Sequence, residues 1–85
     1  MFGKKKDFKL KLTGRAGLIY EENGKSMRVD SEMLDGPTYD IVIYKDSIKS
    51  WGPPFDTEAI DNDTMARILR NIISELEPRY KIDIA

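Results

Sequence analysis

Eighty-five residues make one domain around one small core, because domains usually span roughly 100 to 200 residues, and an enzyme built on an interdomain cleft is thereby excluded. Hydrophobic residues at 40% and charged residues at 34%, with a net charge of -1, describe an ordinary folded globule and not a disordered tail. The chain has neither cysteine nor histidine, which removes disulfides, thiolate zinc sites, cysteine nucleophiles and the commonest general base and metal ligand.

The elements are read in chain order. Residues 1–7, with Lys4, Lys5 and Lys6, are expected to be a flexible basic tail, and residues 8–85 a single α+β domain. No apolar segment follows those lysines, so they are not the start of a signal peptide, and no apolar run reaches the roughly 18 residues of a membrane span. The expected compartment is therefore the cytoplasm, with no membrane partner. Charge is uneven: residues 1–29 carry eight basic and three acidic side chains, whereas residues 30–63 carry two and nine. An anionic body is a poor ligand for phosphate backbones, so no nucleic-acid partner is expected.

Phe8, Leu10 and Leu12 alternate with polar residues, the period of a strand with one buried face. Asn23-Gly24 tolerates the positive φ angles of a type I′ turn and predicts a hairpin over Ala16 to Asp30. A two-residue loop there pairs Glu22 with Lys25, Tyr20 with Met27 and Leu18 with Val29, giving an apolar face with an ion pair at its tip. Ile41, Val42 and Ile43 carry apolar side chains on both faces and predict an interior strand within Tyr39 to Tyr44. Ser47 to Trp51 reads as a further short strand, stopped by Gly52-Pro53-Pro54.

Met65, Ile68, Leu69, Ile72, Ile73 and Leu76 form one helical stripe from about Asn62 to Glu77, with Asp61 as N-cap and Pro78 as terminator. Tyr80, Ile82 and Ile84 alternate as a last strand. The expected fold is an α+β antiparallel β-meander of about five to six strands with one C-terminal amphipathic helix packed on one face, in the order β-β-β-β-β-α-β.

Candidate chemistry is sparse. Asp61-Asn62-Asp63 resembles the start of a calcium loop, but Met65 and Arg67 fall where further ligands belong, so helix capping explains it better. Asp30 and Glu32 share a strand face without the deep groove that a carboxylate pair needs in glycoside hydrolysis. Ser31, Ser47 and Ser50 lack a histidine partner, leaving only a Ser-Lys dyad open. No enzyme, metal or cofactor is expected.

Trp51-Gly52-Pro53-Pro54-Phe55 has two readings. In one, Trp51 closes an end of the core and the prolines stiffen the crossover to the helix. In the other, the segment is a rigid ridge with an acidic rim, so that Glu32, Asp40, Asp46, Trp51, Phe55, Asp56 and Glu58 contact a partner, Trp51 as anchor and the acids as steering charges.

Gly17-Leu18-Ile19-Tyr20-Glu21, Ser31-Glu32-Met33-Leu34, Ile41-Val42-Ile43-Tyr44, Ser47-Ile48 with Trp51 and Pro54, and a helix with Ile68 and Asn71-Ile72 together resemble immunity protein 74, a family of bacterial polymorphic toxin systems. The likeness spans roughly residues 14 to 84; the lysine-rich start lies outside it, and the doubled proline after Gly52 departs from the pattern. The resemblance implies a small cytoplasmic protein that binds and neutralises a cognate toxin domain, with no catalytic residues. The alternative is a housekeeping or structural module, such as a homodimer through an exposed edge strand, with a small enzyme as the third reading.

Overall fold

The computed structural model describes residues 7–85, so Lys4, Lys5 and Lys6 of the expected tail lie outside the described residues. Strands β1 (Phe8–Leu12), β2 (Ala16–Glu22), β3 (Lys25–Met33) and β4 (Ile41–Ile43) precede one 3-10 turn at Lys45–Ser47; helix α1 (Asn62–Leu76) and strand β5 (Ile82–Ile84) complete the order. The strands form one sheet in the order β1-β2-β3-β4-β5. The first four are antiparallel neighbours, and β5 lies parallel to β4. A parallel neighbour needs a long crossover, and α1 supplies it.

The hairpin has the expected register: Glu22 faces Lys25, Tyr20 faces Met27 and Leu18 faces Val29. Asn23 at φ 53° and Gly24 at φ 78° supply the two left-handed positions that a type I′ turn demands. Near its base a bulge interrupts the pairing between Ala16 and Leu18. Gly17 at this bulge has φ 85°, and a Cβ there would meet the Arg28 guanidinium at 2.6 Å. The positive φ is what favours glycine, since other residues do not adopt that conformation cheaply, whereas the guanidinium ends a flexible side chain that can move aside.

Alternation along the strands sends Leu18, Tyr20, Met27, Val29, Ile41 and Ile43 to one face, where Ile68, Ile72 and Leu76 of the helix bury them. Met65, Leu69 and Ile73, the flanks of the helical stripe, are half-buried. Full burial of each aliphatic side chain contributes about 1.5–3 kcal/mol gross. Asp61 caps the helix as expected, its Oδ1 accepting from the Thr64 amide at 2.8 Å. The opposite sheet face carries Lys9, Lys11, Glu21, Arg28, Asp30, Glu32 and Asp83 around Ile19 and a buried Val42, and the one helix among the described residues packs on the other face.

The expected strand over Ser47 to Trp51 is not a strand, so four strands precede the helix instead of five. Both edges of β4 are filled, one by β3 and the other by β5, which leaves the following segment no ladder to join. Local side-chain bonds hold it instead. Ser47 Oγ donates to the Tyr44 carbonyl at 2.6 Å and accepts from the Asp30 amide at 2.8 Å, and the Gly52 amide donates to the Ser26 carbonyl at 2.6 Å.

Candidate functional site

The Trp51 to Ile60 loop joins the core to the helix and lies against the tip of the β2–β3 hairpin. Trp51 is 5% exposed and stacks on Tyr20 with ring centroids 6.3 Å apart. The loop then coils in successive turns, with the Phe55 amide donating to Gly52 O and the Glu58 amide to Phe55 O, and it contains a cis peptide bond between Pro53 and Pro54. Lys25 clamps it from the hairpin. Its Nζ lies 5.8 Å from the Trp51 ring centroid and 5.5 Å from that of Phe55, while it ion-pairs with Glu58 Oε1. A cation over two aromatic rings and against a carboxylate orders a loop that has no ladder of its own. Beside it opens a groove of about 430 Å³ whose lining includes Arg28, Asp30, Lys49, Trp51, Pro53 and Asp56, with Arg28 and Asp30 ion-paired at 3.7 Å.

Beneath the hairpin runs a polar network between sheet and helix. Glu22, almost fully buried, accepts from Tyr20 Oη at 2.6 Å and from both Nε and Nη2 of Arg67; Asn71 Nδ2 donates to Tyr20 Oη at 2.9 Å. Burial by itself pushes the Glu22 carboxyl up, but the bonds from Arg67 and Tyr20 outweigh it and hold the group below its ordinary range. Burial, reinforced by the bond to Glu22, pushes the Tyr20 phenol up to about 12. A carboxylate saturated with donors is a weak base, and such a phenol is a weak acid at neutral pH, so this cluster holds structure and is ill-suited to transferring protons.

The hairpin-tip ion pair expected between Glu22 and Lys25 is therefore redistributed. The two residues face one another in register, but Glu22 turns inward to Arg67 and Lys25 outward to Glu58. Sequence reasoning missed the network, although its signal was present. The register places Glu22 on the apolar face with Tyr20, and Arg67 and Asn71 flank Ile68 and Ile72 on the helix, one turn apart. A carboxylate on a buried face calls for a cation from the element that covers it.

A family model described as immunity protein 74 matches residues 9–85. The chain belongs to the immunity protein 74 family. The match begins inside β1 and takes in every later element, so the loop, its groove and the buried network all lie within the family's span. Neither a curated protein nor a solved structure matches the chain. Among the described residues, no helix is long and apolar enough to cross a membrane.

In this immunity protein 74 member the candidate contact residues fall into three groups. Trp51, Phe55, Asp56 and Glu58 share one loop; Phe55 is half-buried, and Asp56 and Glu58 are exposed. Asp46 sits in the 3-10 turn, whose Ser47 lines the same groove. Glu32 and Asp40 lie elsewhere. Glu32 is on the uncovered sheet face, accepting from Tyr44 Oη at 3.1 Å, and that bond raises the Tyr44 phenol, with Asp83 adding to the effect. Asp40 Oδ2 accepts from the Lys81 amide at 2.9 Å and ties β5 to the start of β4. Of the two readings of the Trp51 segment, the architectural one describes the indole, which is packed into the core and stacked on Tyr20.

Proposed function

We propose that the chain neutralises a cognate toxin domain in the cytoplasm by binding it directly, without chemistry of its own. Membership of a family described as immunity protein carries this reading. Phe55, Asp56 and Glu58 form the contact, on a loop that Trp51 supports from beneath, and Asp46 and Glu32 add the negative field that speeds encounter with a cationic partner. The loop is held before binding by the Gly52–Ser26 bond and the Lys25 clamp, which lowers the entropy lost on docking.

The test is to look for a toxin domain in a neighbouring reading frame and co-express it with this chain, scored by growth. The wild-type chain is expected to restore growth, and a Phe55→Ala, Asp56→Lys double variant to bind the toxin domain at least roughly tenfold more weakly while remaining folded. Failure of the wild-type chain to protect would refute neutralisation. Full protection and unchanged affinity in the folded double variant would refute the assigned surface.

A further inference from the structure

Strand β1 is an edge of the sheet, paired with β2 alone. The Thr13 amide donates to Gly17 O at 3.1 Å. Bonded pairs alternate along an antiparallel ladder. Lys11 and Lys9 therefore turn their main-chain groups toward β2, and Phe8, Leu10 and Leu12 present theirs to the open side. No described residue pairs with that side.

Next to this edge, on the helix-covered face, lies a second groove of about 400 Å³ lined by Leu10, Leu12, Leu76, Pro78 and Tyr80 together with the charged Glu75 and Arg79. It shares no lining residue with the groove beside Trp51. On the uncovered face of the same strand stand Lys9 and Lys11, both exposed and neither ion-paired with a described residue. Unpaired main-chain groups supply the bonds of strand addition and a groove for alternate side chains supplies its specificity; here Leu10 and Leu12 give that groove an apolar wall, and Lys9 and Lys11 set a charge preference on the other face.

We propose that the open edge of β1 takes up an extended protein segment whose side chains alternate between apolar and acidic, added to the sheet as a further strand. Its apolar side chains enter the trough beside Leu10 and Leu12, and its carboxylates meet Lys9 and Lys11 across the pair. Charge argues against a second copy of this chain in that place. An antiparallel pair centred on Leu10 sets Lys9 against Lys11, and a pair centred on Lys9, which does bring Asp7 opposite Lys11, still sets Lys9 against itself. Lysines on an edge strand oppose self-association in this way. The proposal concerns a surface separate from the Trp51 to Ile60 loop and does not depend on the toxin contact assigned there.

The full chain is titrated with a synthetic peptide of repeated Val-Glu units and, separately, with one of repeated Val-Lys units, while amide signals and hydrogen exchange are followed residue by residue. The Val-Glu peptide is expected to bind, to slow exchange at Phe8, Leu10 and Leu12, and to bind roughly tenfold more tightly than Val-Lys. A Lys9→Glu, Lys11→Glu variant changes two exposed positions outside the core and is expected to reverse that preference. No binding of the Val-Glu peptide, equal affinity for both peptides, protection elsewhere than β1, or self-association of the chain through these same amides would each overturn the proposal.

Discussion

Replacing Trp51 by alanine is expected to lower folding stability by about 3–5 kcal/mol, the range for emptying a buried aromatic site. That is a large share of the roughly 5–15 kcal/mol available to a domain of this kind. The cause lies in the packing: the indole is 5% exposed, stacks on Tyr20 and supports Lys25 from below, so its removal opens a cavity and loosens the loop together. Urea titration followed by circular dichroism measures the loss. Trp51→Phe keeps a ring against Tyr20 and is expected to lose less. Iodide should barely quench the wild-type tryptophan emission. A Trp51→Ala chain of unchanged stability would return the indole to the role of a surface anchor.

Arg67→Ala is expected to destabilise by about 2–3 kcal/mol at neutral pH, below the 3–5 kcal/mol of a fully buried broken pair because the guanidinium is partly solvated. Its pH dependence identifies the cause. The Glu22 carboxyl is held below its ordinary value in the fold, so its contribution is complete above about pH 4.3 and is lost as pH falls through the lowered value. Protonation removes the charge that Arg67 offsets, and the gap between wild type and Arg67→Ala should narrow as pH falls below the ordinary carboxylate range. Tyr20 works in the opposite direction. Its phenol is raised to about 12, so its contribution is complete below the ordinary value of about 10 and is lost as pH climbs from there to about 12. A gap that stayed constant from acid to neutral pH would mean that Arg67 acts by packing alone.

The parts of this fold legible in the sequence are those that local chemistry decides. Asn23-Gly24 sets the turn, the turn sets the register, and the register assigns Leu18, Tyr20, Met27 and Val29 to the core, all as observed. The helix carries its own signals in the Asp61 cap and the Ile68, Ile72 and Leu76 stripe. What escaped depends on residues far apart in the chain. β5 pairs with β4 across 41 positions that contain a helix, and this pairing is what denies Ser47 to Trp51 a ladder. The Glu22–Arg67 pair likewise spans 45 positions, and its signal is readable only once the register of Glu22 and the flank of the helical stripe are read together. Among the candidate contacts, the clustering of Phe55, Asp56 and Glu58 follows from their adjacency in sequence. The engagement of Asp40 with Lys81 and of Glu32 with Tyr44 follows from sheet order, which adjacency does not reveal.

The claim that this molecule acts by occupying its target is tested most directly by stoichiometry. A fixed amount of the purified toxin domain is titrated with the purified chain, and residual toxin activity is read after mixing. Inhibition by occupancy predicts that activity falls in proportion to the chain added and vanishes when the two are equimolar, with both proteins recovered chemically unchanged. Complete inactivation by a small fraction of an equivalent, or a covalent change in the toxin, would contradict the account and make the chain a catalyst.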